Sequence, residues 1–412
     1  MARIRISNFG PVGDGLTEDG GWLYFDKVTV LIGNQATGKS SVAKLLSTLS
    51  WLEKSLYKQE IKESDVTKYH RFRKKYCDYQ GISAYFREDT YIAYEGDYLY
   101  LEYSGERVKL EQRPLQTYAP PKIMYVPAER NFLSVVADPA RIKGLPLPLY
   151  TFLDDFEEAK RELKEIIDIP VAGVRFEYQR QNKISYIRGE NYRLRLQYAS
   201  SGIQSLLPLY LVSRNLASSI GRTDSNGIKK VSLEQEERIR HDLNRILTDV
   251  KIGDDVRKLL LERIDAIYQN LAFINIVEEP EQNLYPASQM ALLFELLRLN
   301  NSTVNNKLLL TTHSPYLLNY LSLATKAAEL QDRISESNHP ALERLAAIVP
   351  LASTVGADQL HIYEAHADGT ITRLPMAFGV PSDDNFLNQS LAETNEMFDA
   401  LLALEEEADV SL

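Results

Sequence analysis

Cysteine is almost missing from this chain: Cys77 stands alone among 412 residues. A single thiol cannot close an intramolecular disulfide, and such usage fits a reducing compartment. Long apolar runs are missing too, and no stretch approaches the length that spans a membrane. The opening Met-Ala-Arg-Ile-Arg-Ile-Ser lacks the apolar core of a secretion signal. These absences place the protein in the cytoplasm, away from membranes. Positive charge is not in excess either. The net charge of −10 argues against a surface that coats nucleic acid over its whole extent. The best basic patch, His70-Arg-Phe-Arg-Lys-Lys75, reads more often as a solvated helix face than as a nucleic-acid contact, and both readings stay open. Repeats of long period are also lacking. What remains, 44% apolar and 25% charged residues, is an ordinary globular composition with length for about two or three domains.

The chain is organised around one stretch. The apolar run Val28, Val30, Leu31, Ile32 ends at Gly33, and Gly38-Lys39-Ser40 follows in the spacing G-x-x-x-x-G-K-S. Beyond it Val42, Leu45, Leu46, Leu49 and Leu52 recur at helical steps. Strand, glycine-bounded loop and helix make a P-loop. Its backbone N–H groups curl around phosphate oxygens, and the helix N-terminus adds partial positive charge. Gly33, Asn34, Gln35, Ala36, Thr37, Gly38, Lys39, Ser40 and Ser41 are the expected nucleotide contacts. Lys39 is expected at the β- and γ-phosphates, and the Ser40 hydroxyl on Mg²⁺.

Periodicity orders the rest. Residues 2–12 and 22–25 read as strands, and the P-loop helix is expected to continue as a charged, tyrosine-rich helical region to about Tyr79. From Ile82 to Gln112 the period falls to two, which describes a small antiparallel sheet. Residues 122–126 read as a core strand, 151–167 as a charged helix, and three short strands fill 173–198. An apolar helix follows Ala199-Ser-Ser-Gly-Ile-Gln204. A helical hairpin with a capping-box start, Ser232-Leu-Glu-Gln235, is expected as an insertion. Residues 271–277 and 307–311 look like buried strands of a parallel sheet. Helices at about 287–299 and after Pro315, then strands around 360–363 and 371–374, lead to an acidic helix at about 385–407.

Distant strand ends deliver chemistry. Glu278 and Glu279 end an apolar strand, as the acid pair of a Walker B motif does. The first carboxylate is expected to hold Mg²⁺, and the second to orient and polarise the water that attacks the γ-phosphate. The plainer reading of the pair is an exposed acidic turn.

In this order the motifs resemble the ABC-type ATPase heads of the RecF, OLD and Rad50/SMC families, over most of residues 1–325. Ser200, Ser201 and Gly202 sit where those families carry a signature motif. Glu278-Glu-Pro-Glu-Gln-Asn-Leu-Tyr-Pro286 is similar to their Walker B and D-loop, and Thr311-Thr-His-Ser-Pro315 to their switch-histidine loop. Glu129 stands at the position of the Q-loop glutamine, a further candidate metal ligand. Glu278 replaces the usual aspartate, and Ser201 replaces the first signature glycine. The resemblance implies an ATPase that binds ATP and Mg²⁺, with Glu279, His313 and Lys39 as catalytic residues. It also implies that two heads sandwich two ATP molecules, Ser200 and Gly202 of one facing the γ-phosphate held by Lys39 of the other. The expected fold is α/β: a P-loop parallel or mixed sheet flanked by helices, a small antiparallel β segment at 82–118 and a helical insertion at 221–270. The head covers 1–325, and a C-terminal α/β extension covers 326–412.

More narrowly, 31–40, Ser50-Trp-Leu-Glu-Lys, Tyr125-Val-Pro-Ala-Glu-Arg-Asn and Asp384-Asn-Phe-Leu-Asn-Gln…Glu393-Thr-Asn-Glu-Met-Phe-Asp resemble the ATPase subunits of PARIS-type anti-phage defence systems. That likeness implies an oligomer that holds a separate TOPRIM-nuclease effector and releases it when a phage protein is sensed. Too little chain follows Glu364, without an Asp-x-Asp, to supply such a nuclease itself. Glu393, Glu396 and Asp399 could dock a basic partner, or simply form a solvated acidic face. The competing functions are a RecF-like DNA-repair ATPase that binds DNA in an ATP-dependent way, and a transporter ATPase.

Overall fold

The computed structural model describes residues 2–113, 118–136, 139–171, 173–220, 270–335 and 337–410. The helical insertion expected at 221–270 therefore lies outside the described residues, apart from Asn270 at its end.

The strands follow the alternation of apolar residues. In chain order they begin with β1 (Ala2–Phe9), β2 (Gly15–Leu16), β3 (Leu23–Phe25) and β4 (Val28–Gly33). After the P-loop helix come β5 (Phe86–Glu95), β6 (Leu99–Ser104), β7 (Arg107–Gln112) and β8 (Pro121–Val126). The short strands β9 (Ile167–Asp168), β10 (Arg175–Gln179), β11 (Ile184–Arg188) and β12 (Arg193–Arg195) form a small antiparallel sheet. The later part supplies β13 (Ala272–Glu278), β14 (Lys307–Thr311), β15 (Leu360–Ala365) and β16 (Thr370–Arg373).

A seven-stranded mixed sheet, ordered β2-β16-β15-β4-β14-β13-β8, forms the centre. The P-loop strand β4 is its middle strand, parallel to β14 on one side and to β15 on the other. Both of its faces are covered. Val28, Val30 and Ile32 pack into one apolar core, and Leu31 into a second on the opposite face. Phe273 and Val277 of β13 divide from Ile274 and Ile276 in the same way. Burial on two sides explains why these strands read as continuous apolar runs rather than alternating ones.

The two faces carry different layers. On one lies the P-loop helix (Lys39–Tyr57), together with a five-stranded antiparallel sheet ordered β3-β1-β5-β6-β7. On the other pack the helices Leu147–Glu162, Ser201–Ser219, Pro286–Asn301 and Pro315–Arg333. The fold is thus α/β: a mixed sheet around the P-loop strand, flanked by helices, with an antiparallel layer beside it.

Four details depart from the pattern read in the sequence. The antiparallel segment recruits β1 and β3 and so becomes a five-stranded layer. The P-loop helix ends at Tyr57, not near Tyr79, because Gln59 takes a left-handed backbone. A short helix (Glu63–Thr67) and a π-helical turn (Phe72–Cys77) follow, so the basic patch curves around a buried Phe72 instead of lying along one helix face. The helix expected from 151 starts at Leu147, with Pro148 in its first turn, where a missing N–H costs nothing. Finally, β15 lies inside the central sheet, although its residues belong to the segment read as an extension. Glu364 there is buried and accepts the Phe386 amide at 2.9 Å, which anchors the start of the long acidic helix Phe386–Val410.

Candidate nucleotide site

Where β4 ends, the chain must turn sharply beneath β15. Gly33 has φ 134°, and a Cβ there would lie 2.3 Å from the Ala365 carbonyl oxygen, so only glycine fits. Gly38 (φ 99°) begins the P-loop helix, with no side chain capping it. Asn34, Gln35, Ala36 and Ser40 are exposed around the resulting concavity, while Thr37 and Ser41 are buried beneath it. Lys39 folds back over the loop and donates to the carbonyls of Gly33 (3.0 Å) and Asn34 (2.6 Å). Burial pulls its pKa down to about 8, against the opposing pull of Glu279, Glu281 and Glu278.

Those carboxylates come from the end of β13, two strands away from β4 in the sheet. Glu278 is the last residue of the strand, is 5% exposed, and leaves its Oε1 without a hydrogen-bond partner among the described residues. Glu279 then adopts a left-handed backbone (φ 43°), an uncommon conformation for a residue with a side chain. The turn aims its carboxylate at His313, whose Nε2 lies 3.7 Å away. Burial first, then the Lys39 charge, hold the His313 pKa below its ordinary value; Glu279 and the Gly33 backbone favour the charged ring but do not prevail. The structure therefore brings Lys39, Glu279 and His313 into one electrostatic neighbourhood.

Two residues without a sequence-derived role hold this arrangement. Glu281 Oε1 accepts both the Thr312 hydroxyl (2.8 Å) and the His313 amide (2.7 Å), tying the loop after β14 to the turn after β13. Burial raises its pKa, and those hydrogen bonds pull the other way. Arg130 is 0% exposed and donates to four backbone carbonyls: Glu278 (2.6 Å), Glu279 (2.6 Å), Ser205 (3.1 Å) and Pro127 (3.2 Å). The only signal for either was membership of a quoted motif, Glu-Glu-Pro-Glu281 and Pro127-Ala-Glu-Arg130. A buried cation reading carbonyls has no sequence pattern of its own.

The other candidates sit apart. Ser200 is the N-cap of the Ser201–Ser219 helix, and Ser200 and Ser201 are exposed. Gly202 packs so closely on the turn after β13 that a Cβ would lie 2.8 Å from the Asn283 carbonyl. Asn283 also donates to the Ser205 hydroxyl at 3.1 Å. Among the described residues, no hydrogen bond joins Ser200, Ser201 or Gly202 to the P-loop of the same chain. Glu129 is exposed on the turn Ala128–Asn131. Glu393, Glu396 and Asp399 are exposed on the C-terminal helix.

Among the described residues, no group of three or more His, Cys, Asp or Glu is arranged to hold a metal unaided. The donors present fit a divalent cation shared with phosphates: the exposed Ser40 hydroxyl and the unpartnered Glu278 oxygen.

A family model matches residues 258–319, described as an AAA domain, putative AbiEii toxin of a type IV toxin–antitoxin system. The match takes in β13, the acid pair, β14 and His313. These features support a P-loop ATPase.

Among solved structures, the SMC head domain from Thermotoga maritima is similar at a TM-score of 0.35 and 11% identity, covering 91% of this chain and 98% of that one. An Smc head with an extended coiled coil, bound to the C-terminal domain of ScpA from Pyrococcus furiosus, gives 0.37 and 10%, covering 96% and 100%. An SmcHead bound to the C-winged helix domain of ScpA gives 0.36 and 10%, covering 91% and 98%. No curated protein matches the chain in sequence. No helix among the described residues is long and apolar enough to cross a membrane.

Proposed function

We propose that this protein is an ABC-type ATPase that works as a pair of heads, each pair closing around two ATP molecules. The observation that carries the reading is the meeting of Glu279 and His313 at 3.7 Å beside Lys39, on loops from three separate strands of one sheet. Lys39 would give up its two carbonyl partners and take phosphate oxygens. Ser40 and Glu278 would hold Mg²⁺, which when bound supplies charge neutralisation at the phosphates. Glu279 would accept a proton from the attacking water, and His313, held largely neutral by burial, would hydrogen-bond at the γ-phosphate side. The exposed N-terminus of the Ser201–Ser219 helix is turned to a different neighbour, the Asn283 turn. A second copy is what would bring Ser200, Ser201 and Gly202 to the γ-phosphate.

We extend the proposal to an oligomeric sensor and scaffold of a bacterial anti-phage system, like the ATPase subunit AriA of PARIS. In that role it holds a separate TOPRIM-nuclease effector and responds to a phage-encoded trigger. Support for this part comes from the sequence resemblance alone.

Glu279→Gln is expected to bind ATP, stall, and accumulate as a dimer or larger species in a mass measurement with ATP and Mg²⁺. Lys39→Ala is expected to stay at the size of the ATP-free protein. Tight ATP binding by the Glu279→Gln protein with no change in mass would overturn the two-head reading. Co-purification with the product of the neighbouring gene tests the scaffold role, and ATP-dependent, salt-sensitive DNA binding by the isolated protein would favour the DNA-repair alternative.

A further inference from the structure

Behind the P-loop helix lies a cavity that the nucleotide site does not use. Its volume is about 570 Å³, within the range of small-molecule sites. The P-loop helix forms one wall, the 75–80 segment another, and β8 with the start of the Leu147–Glu162 helix the remainder. We propose that this cavity is a binding site for a small aromatic anion, a flat ring bearing one acidic group.

Three independent features point to that chemistry. The first is charge. Lys54, Lys75 and Lys122 line the cavity and, among the described residues, no acidic side chain does, in a chain whose net charge is −10. Lys122 is paired with Asp155 outside the lining (3.2 Å), and Lys75 lies over the Tyr76 ring at 5.1 Å. Lys54 has no described hydrogen-bond acceptor. Burial, together with the charges of Lys58 and Lys122, draws its pKa down to about 8 against Glu60 and Asp155. An anion in the cavity would relieve that unfavourable grouping.

The second feature is shape and surface. Trp51 and Tyr76 stand with ring centroids 5.7 Å apart and planes tilted by 36°, and Trp51 remains 38% exposed. An exposed indole beside a second ring is a surface on which another ring gains dispersion and stacking energy.

The third is unmet hydrogen bonding. Gln80 is 5% exposed; its amide donates to the Ser47 hydroxyl at 3.2 Å, while its Oε1 has no partner among the described residues. The Tyr76 hydroxyl, on a residue 6% exposed, also has no partner among the described residues. Buried polar atoms left in this state cost stability unless something supplies the missing bond. A ring N–H or exocyclic donor would answer Gln80, while the acidic group faces Lys54. The site is separate from the phosphate cradle, yet Tyr125, which lines the cavity, is influenced by the acid pair: burial first, and then the Glu278 charge, raise the pKa of its hydroxyl.

The chain has two tryptophans, so Trp22→Phe leaves Trp51 as the only reporter. Three compounds carry the test: 8-anilinonaphthalene-1-sulfonate, adenosine monophosphate and 1-naphthoate. Saturable one-to-one quenching of Trp51 by the sulfonate is expected. Lys54→Met should weaken it at least tenfold, Gln80→Leu and the surface change Lys75→Met more modestly, and Lys39→Ala not at all. Competition by adenosine monophosphate would assign the site to nucleotides; competition by 1-naphthoate alone would assign it to aromatic acids. Absence of saturable quenching overturns the proposal. So does quenching that survives Lys54→Met and Lys75→Met unchanged in proteins with wild-type circular dichroism.

Discussion

The guanidinium of Arg130 donates at 2.6 Å to the backbone carbonyl of Glu279. Through its other bonds the same group grips Glu278, Pro127 and Ser205, so the ends of β8 and β13 and the 201–219 helix share one cation. Removing it strands several carbonyls in a dry environment. Arg130→Met is expected to cost about 3 kcal/mol or more in stability. ATP turnover should fall at least tenfold, because the left-handed turn that aims Glu279 loses its anchor. Urea unfolding with parallel turnover assays tests this, and a variant with wild-type midpoint and rate would show that the carbonyls need no such partner.

Glu281 allows a cleaner separation of charge from tethering. Glu281→Gln keeps an oxygen for Thr312 and His313, and should retain stability within about 1 kcal/mol. Glu281→Ala frees the loop and should lose about 1–3 kcal/mol along with most turnover. Equal turnover in the two variants would mean that the tether does not position His313.

Glu53 gives a pH signature far from the nucleotide site. It is buried, accepts Tyr94 Oη (2.6 Å) and the Tyr98 and Leu99 amides (2.6 and 3.1 Å), and burial lifts its pKa above the ordinary value. A raised carboxyl pKa means that the folded state holds a proton the unfolded chain has already released. Its contribution is therefore fully present below the unfolded value and is lost as pH rises through the folded one. Glu53→Gln preserves the shape and should raise the melting temperature at pH 8 relative to wild type, with a smaller effect at pH 4. The opposite ordering would count against burial as the dominant influence.

Gly33→Ala tests the close approach of β4 and β15. The added Cβ would meet the Ala365 carbonyl at 2.3 Å on a backbone already at φ 134°. A loss of several kcal/mol is expected, with ATP binding weakened in whatever protein folds. Thermal unfolding and nucleotide titration of the same sample read both.

Much of the candidate site was legible because its signals are local. Gly33, Gly38, Lys39 and Ser40 fall within eight residues, and the acid pair follows directly on an apolar strand. The spacing of 28–52 carried strand, loop and helix together. Arg130 and the Glu281 tether were not legible, since both act on backbone groups brought near by folding rather than by sequence. The break after Tyr57 escaped for a different reason: Lys58-Gln59 carries no glycine or proline to announce a left-handed turn. The place of β15 was hidden because a short C-terminal hairpin pattern shows its antiparallel partner β16 but not its parallel one.

That parallel pairing bears on how the protein is made. β4 has left the ribosome long before 307–311 and 360–365, the two strands that flank it, are synthesised. Until then its hydrogen-bonding edges are open, and the turn under Ala365 has nothing to close against. The phosphate cradle thus belongs among the last parts of the molecule to mature, and the emerging chain spends most of its synthesis with an apolar strand in need of shielding. Slow refolding and dependence on chaperones during expression are the natural companions of a middle strand whose neighbours arrive last.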